Sequence, residues 1–167
     1  MGTTMAGPIT LKAFCGLSAP PKTVWALIGD FAKPQAWLPG IERVKMQGRL
    51  RTCQTPLGRF RERLIAEGRR RCSYTIEDGP IPVENYVAAL SVVPSTSFFT
   101  CQVKWESTFE VKEGTGCALA QKFARIYDAG LRSLQTRYGS EDKDPLFRTE
   151  GADVSIDILL RHLKMLG

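Results

Sequence analysis

The chain of 167 residues is long enough for a single domain with a full hydrophobic core, and it needs no disulfide or metal to fold. Its composition is ordinary for a globular protein, and no run approaches the roughly 18 apolar residues of a membrane span. Five dispersed cysteines and one histidine exclude a disulfide framework and show no zinc-ligand spacing. The first ten residues lack the basic and apolar regions of a secretion signal, so we expect a cytoplasmic protein with reduced thiols.

The net charge of +6 is unevenly distributed along the chain. Ten of the 23 basic residues fall between Arg43 and Arg71, where only Glu62 and Glu67, with Glu42 just before the interval, oppose them. Nucleic acid, an anionic membrane or a negatively charged ligand would be attracted to such a region. A solvated strand face is the simpler interpretation, because no nucleic-acid-binding motif or stacking platform accompanies the charge. We therefore expect neither a nucleic-acid partner nor membrane insertion.

The N-terminal half predicts a strand, two short helices and then a sheet. Residues 9–17 form the first predicted strand, and Pro20-Pro21 then offers a helix start before an apolar segment that ends near Gly29. The proline-rich segment 31–41 leaves room only for another brief helix. From about Arg43 the hydrophobic period changes to two, which predicts six strands: 42–47, 49–54, 58–66, 71–77, 83–92 and 98–111. The last alternates most regularly, with Phe99 to Val111 apolar at odd positions except for Ser107.

After Gly116 the helical period returns for about 22 residues, which corresponds to roughly 33 Å. Its apolar stripe consists of Leu119, Phe123, Ile126, Tyr127, Gly130, Leu131, Leu134 and Tyr138. The side chains expected to face largely away from this stripe are Lys122, Arg125, Arg132 and Gln135. Gly139 ends the helix, so we predict a domain over 1–139. Residues 140–167 are predicted to be a linker followed by either a short amphipathic helix or a disordered tail. The helix would carry on one face Ile156, Leu159, Leu160, Leu163 and Leu166.

This order of elements predicts an α+β helix-grip fold. A curved antiparallel sheet of about six to seven strands would wrap the long C-terminal helix, with two short helices after the first strand. Between the sheet and the helix we expect an internal cavity.

Two polar side chains are predicted to point into that cavity. Strict alternation in strand 58–66 puts Glu62 on the same inward face as Phe60, Leu64 and Ala66. A carboxylate there is costly unless it is paired or protonated, so Glu62 serves either in acid–base chemistry or in an ion pair with a buried arginine. Tyr86 shares its face with small and apolar residues of strand 83–92, and its hydroxyl is either available to a ligand or satisfied locally. Alternation alone does not decide which way Arg51 points.

Several segments together resemble the SRPBCC superfamily, which contains birch-pollen-allergen-like, START-type and polyketide cyclase/dehydrase domains. The similarity covers about residues 8–139. It is carried by Val24-Trp25-Ala26-Leu27-Ile28-Gly29-Asp30-Phe31, Trp37-Leu38-Pro39, Gly48-Arg49-Leu50-Arg51, Glu62-Arg63-Leu64, Cys72-Ser73-Tyr74-Thr75-Ile76 and Pro82-Val83-Glu84-Asn85-Tyr86. Within the superfamily the chain is similar to the bacterial polyketide cyclase/dehydrase branch and more distantly to onion lachrymatory factor synthase and the abscisic acid receptors. The receptors' His-Arg-Leu latch is replaced here by Ile81-Pro82-Val83, so the resemblance does not imply a hormone receptor.

The resemblance also assigns site residues. In the synthase-like proteins an arginine, a glutamate and a tyrosine are implicated in the site, and they fall here on Arg51, Glu62 and Tyr86. The match therefore implies that Arg51 points inward. Residues expected to line the ligand cavity are Trp37, Phe60, Leu64, Tyr74, Leu90, Trp105, Phe123 and Tyr127.

Two functions follow from this assignment. The first is binding of a small hydrophobic or aromatic molecule with cofactor-independent acid–base catalysis, of the cyclase, dehydratase, isomerase or lyase type. Arg51 would stabilise a developing negative charge, Glu62 would move a proton, and Tyr86 would donate a hydrogen bond. The second is a carrier or sensor without catalysis, in which Arg51 and Glu62 only orient a polar head. We expect neither a metal nor an organic cofactor in either case.

Overall fold

The computed structural model describes residues 7–97 and 99–151. Its strands are β1 Ile9–Leu17, β2 Arg43–Gln47, β3 Leu50–Thr55, β4 Gly58–Gly68, β5 Arg71–Asp78, β6 Val83–Pro94, β7 Cys101–Val111 and β8 Leu146–Glu150. Its helices are α1 Pro21–Ile28, a 3₁₀ turn Pro34–Ala36 and α2 Gly116–Tyr138. The strands form one antiparallel sheet in the order β2-β3-β4-β5-β6-β7-β1-β8. No helix in this described part of the chain combines the length and apolarity needed to cross a membrane.

The core lies between the sheet and α2. Along β1 and β7, alternate side chains are buried, as expected for an antiparallel sheet with one core face. The apolar stripe of α2 packs against that face, with Phe123, Tyr127 and Leu131 almost fully buried. The Thr115 hydroxyl caps the helix by accepting a hydrogen bond from the Ala118 backbone N–H, and Gly139 follows its last turn with a φ of +82°. The predicted helix-grip fold is confirmed.

Within residues 7–97 and 99–151 the sheet has eight strands, one more than the predicted upper number. The additional strand, β8, pairs antiparallel with β1 and buries Phe147, while the Asp142 carboxylate accepts a hydrogen bond from the Gly16 backbone N–H. This segment was predicted to belong to the linker, because one buried aromatic side chain in a five-residue strand produces no periodic signal. The segment predicted to be either a short amphipathic helix or a disordered tail, which contains Ile156 and Leu166, lies outside the described residues.

Two positions predicted to face inward do not. Phe99 is 77% exposed, because β7 begins only at Cys101 and Phe99 belongs to the turn that precedes it. Ala66 is exposed because a register shift between β4 and β5 interrupts the alternation after Leu64. Period-two alternation predicts a face only as far as the strand stays regular.

Gly130 is a glycine that close packing requires. It lies on the buried face of α2, where an added Cβ would be 2.6 Å from Leu38 Cδ2 and 3.0 Å from Trp37 Cζ3. Alanine would gain about 1 kcal/mol in helix propensity, but overpacking costs about 1–3 kcal/mol. We expect Gly130→Ala to lower the free energy of unfolding, measured by urea denaturation, by about 1 kcal/mol. A more stable variant would show that Leu38 and Trp37 move aside without cost.

Candidate binding and catalytic cavity

A cavity of about 370 Å³ lies between the concave face of the sheet and α2. Its volume falls in the range of known small-molecule sites. The apolar lining side chains include Leu38, Ile41, Phe60, Ile76, Phe123 and Ile126. Exposed lining residues form the cavity mouth: Pro39, Gly40, Pro56, Leu57, Lys122, Arg125 and Ala129. The cavity is thus a largely apolar space with an opening to solvent.

An arginine and a glutamate form an ion pair at the cavity wall. Arg51 on β3 and Glu62 on β4 are direct partners in the antiparallel ladder, so their side chains lie on the same face. Arg51 Nη2 lies 2.9 Å from Glu62 Oε1, and Nε donates to the same oxygen at 3.1 Å. Only 9% of the Arg51 side chain and 12% of the Glu62 side chain are exposed. Both line the cavity.

Phe31, in the segment after α1, holds the arginine from the other side. Arg51 Nη1 donates a hydrogen bond of 3.0 Å to the Phe31 carbonyl oxygen, and Arg51 Cζ lies 3.9 Å from the centre of the Phe31 ring. Burial is the largest single influence on Arg51 and disfavours its charge, but Glu62, Cys53 and Tyr74 together outweigh that effect and raise the pKa of the guanidinium. Arg51 therefore stays positively charged although it is buried. This role of Phe31 was not predictable, since a backbone carbonyl leaves no signal in the sequence.

The two carboxylate oxygens of Glu62 have different surroundings. Oε1 accepts from Arg51 and, at 3.8 Å, from the Cys53 thiol. Oε2 accepts no hydrogen bond from the described residues. Because Glu62 lines the cavity, Oε2 is the atom of the pair with free capacity for a ligand.

Three tyrosine hydroxyls add polarity to the apolar wall. The Tyr86 and Tyr127 hydroxyls are hydrogen-bonded to each other, and Trp105 Nε1 donates a hydrogen bond of 3.0 Å to the Tyr74 hydroxyl oxygen. Burial raises the pKa of each of the three tyrosines above its ordinary value. All three phenols therefore stay protonated near neutral pH and present neutral hydroxyls. The Tyr86–Tyr127 contact joins β6 to α2 and was not predicted.

The residues predicted to line the cavity are divided between two spaces. Those at the wall of the main cavity are Phe60, Tyr74, Trp105, Phe123 and Tyr127, together with Arg51, Glu62 and Tyr86. Trp37 and Leu90 instead line a separate void of about 20 Å³, which Arg51, Tyr74 and Trp105 also border. Leu64 is buried but lines neither space. The β4 residues that do form the cavity wall are Phe60 and Glu62.

Two basic residues of α2 were predicted to face largely away from its apolar stripe, and both are exposed, but the structure also places them beside the cavity. Lys122 and Arg125 line the cavity at its mouth. They share that edge of α2 with Ile126 and Ala129, at the one-turn and two-turn spacing of a helix face. A hydrophobic stripe identifies the centre of a buried helix face. The element that packs against the helix decides whether residues at the edges of that face border a cavity or only solvent.

The five cysteines are free thiols, and Cys117 is the least buried of them. Burial raises the pKa of Cys15 and Cys53 to about 12 and that of Cys101 to about 11. At pH 8 only about one in 10⁴ thiols with a pKa near 12 is ionised, so these side chains should be alkylated very slowly. We expect iodoacetamide at pH 8 to label Cys117 first, as measured by peptide mass spectrometry, and to label every cysteine in urea. Rapid labelling of Cys53 in the native protein would contradict this expectation.

Within residues 7–97 and 99–151, no three His, Cys, Asp or Glu side chains are grouped as metal ligands would be. Polar groups in the cavity lining include the Glu62 carboxylate, three tyrosine hydroxyls and the basic side chains at the mouth.

The fold and the cavity define a helix-grip protein with a mainly apolar internal cavity that opens to solvent. The sequence matches the family model described as polyketide cyclase/dehydrase and lipid transport over residues 13–139, and the chain belongs to that family. The superfamily predicted from the sequence is thereby confirmed. A comparison with curated proteins found no match.

Solved structures agree with this assignment. The protein XoxI from Bacillus cereus is 32% identical, with a TM-score of 0.75 over 77% of this chain and 94% of that one. A putative uncharacterized protein from Bacillus thuringiensis is 30% identical, with a TM-score of 0.73 over 77% of this chain and 97% of that one. The Zhui aromatase/cyclase from a Streptomyces species is only 12% identical and shows the common fold alone, with a TM-score of 0.64 over 78% of this chain and 93% of that one.

Proposed function

We propose that the protein binds a small, largely apolar molecule in its cavity and catalyses a cofactor-independent acid–base reaction on it. The reaction is a cyclisation, dehydration, isomerisation or lyase-type elimination. The observation that carries this proposal is the buried Arg51–Glu62 pair at the wall of an otherwise mainly apolar cavity. The family description, which names cyclases and dehydrases, supports the same class of reaction. The free thiols favour the reducing cytoplasm as its location.

The chemistry divides between the carboxylate and the hydroxyls. Glu62 Oε2 accepts a proton from a carbon or hydroxyl group of the bound molecule, and the electron pair left behind moves toward a neighbouring carbonyl oxygen. A tyrosine hydroxyl, Tyr74 or Tyr86, donates a hydrogen bond to that oxygen as negative charge develops on it. The proton then passes from Glu62 to the departing hydroxyl in a dehydration, or to another carbon in an isomerisation. Arg51 positions the carboxylate throughout.

The geometry of Arg51 also favours a second function, a carrier or sensor without catalysis. Its Nε, Nη1 and Nη2 groups are already committed to Glu62 and to the Phe31 carbonyl. A pair so nearly self-sufficient is able to serve as a structural element while the cavity only stores a ligand. Chemical conversion of the bound molecule would indicate catalysis, and its release unchanged would indicate a carrier or sensor.

The binding step is tested by native mass spectrometry of the freshly purified protein, before and after addition of the neutral aromatic probe N-phenyl-1-naphthylamine. We expect one small molecule per chain, either copurified or supplied by the probe. A copurified molecule that remains chemically unchanged over hours would favour the carrier function. Retention of neither a native molecule nor the probe would contradict the proposed cavity binding.

A further inference from the structure

The charges that line the cavity do not balance. Its basic residues are Arg51, Lys122 and Arg125, whereas Glu62 is the one carboxylate among the described lining residues. Glu62 is already paired with Arg51, so this pair contributes almost no net charge. The two uncompensated positive charges both lie at the mouth, on α2.

Other basic side chains of the same helix have partners. Arg132 forms ion pairs with Asp128 and Asp144, each with N···O distances of 2.8–2.9 Å, and Arg137 donates to the Ala36 carbonyl oxygen. Among the described residues, no carboxylate lies within 4.0 Å of Lys122 or Arg125. The unpaired cations of α2 are thus concentrated where the helix borders the cavity.

The interior offers no equivalent position for a negative charge. Arg51 is the cation that lines the inner wall, and its hydrogen bonds go to Glu62 and to the Phe31 carbonyl. A ligand anion placed beside it would also approach the Glu62 carboxylate, which costs free energy in a poorly solvated space. An anionic ligand group is stable only at the opening, where water and two cations solvate it.

We propose that the molecule bound in this cavity is amphipathic, with an apolar body inside and an oxyanion group, such as a carboxylate, sulfonate or phosphate, held at the mouth by Lys122 and Arg125. This inference rests on the proposed function, since it presumes that the cavity holds a small molecule. It narrows the substrate class to organic acids and fixes the direction in which they enter.

Two fluorescent probes that share one aromatic scaffold test the inference. 8-Anilinonaphthalene-1-sulfonate carries a sulfonate, and N-phenyl-1-naphthylamine lacks it. We expect the protein to bind both and the two to displace each other, with the sulfonate probe weakened about 5- to 10-fold in Lys122→Gln/Arg125→Gln and the neutral probe unchanged. Raising NaCl to 0.5 M should weaken the sulfonate probe in the parent protein but not in this variant.

The matched control is Lys22→Gln/Arg69→Gln, which removes two charges at exposed positions that do not line the cavity. This control should bind the sulfonate probe as the parent does. An equal loss in both double variants would mean that only net charge matters and would overturn the inference, as would an unchanged affinity in Lys122→Gln/Arg125→Gln. Those results leave the proposed function intact if the neutral probe binds. If neither probe binds the parent protein, both proposals fail.

Discussion

Replacing Arg51 with methionine is expected to lower the free energy of unfolding by about 3–5 kcal/mol, because the substitution leaves the Glu62 carboxylate uncompensated in a buried position. The Phe31 carbonyl oxygen would also lose its hydrogen bond, and the stacking of the guanidinium on the Phe31 ring would disappear. Urea denaturation followed by tryptophan fluorescence measures the effect. Water in the cavity would solvate the carboxylate partly, which favours the lower end of this range.

The double variant Arg51→Met/Glu62→Leu separates the charge effect from lost packing. Removing both partners of a buried pair costs much less than removing one, so the double variant should recover most of the lost stability. A double variant as unstable as Arg51→Met would mean that the contacts with Phe31, rather than the ion pair, account for the loss. A fully stable Arg51→Met would exclude any structural role for the pair.

Replacing Glu62 with glutamine is expected to reduce turnover of the bound molecule by about 10²–10⁴-fold while binding changes only a few-fold. Glutamine keeps an oxygen acceptor for Arg51 and nearly the same shape, but it does not accept a proton at neutral pH. The substrate for the assay is the molecule identified by native mass spectrometry, and its product is followed by the same method. Circular dichroism of the variant checks that the fold is retained.

Glu67→Gln is the matched control for this experiment, since it makes the same change in the same strand at an exposed position outside the cavity. Its turnover should equal that of the parent. Full activity in Glu62→Gln would remove Glu62 from the chemistry. Loss of binding and of folded structure together would assign the Arg51–Glu62 pair a structural role and favour the carrier function.

The face of each strand residue was predictable where the alternation is regular. Glu62, Tyr86 and Trp105 lie at the cavity wall, where period-two alternation places them. The prediction was wrong at Phe99 and Ala66, because a strand start and a register shift change the face without changing the local pattern. Asn85 has a φ of +53° beside another register shift in β6, yet Tyr86 beyond it still points inward. Irregularities of this kind depend on the neighbouring strand as well as on the strand itself.

The sequence alone determined the order of elements, the helix-grip fold and the inward position of Glu62 and Tyr86, since hydrophobic periodicity is a local property that each segment carries itself. Only the tertiary structure decided which groups meet. Strand register set Arg51 opposite Glu62, packing of α2 joined Tyr127 to Tyr86, and the edge of that helix brought Lys122 and Arg125 to the cavity mouth. These contacts join residues distant in sequence, so their geometry follows from how the whole sheet closes around the helix, which no local pattern encodes.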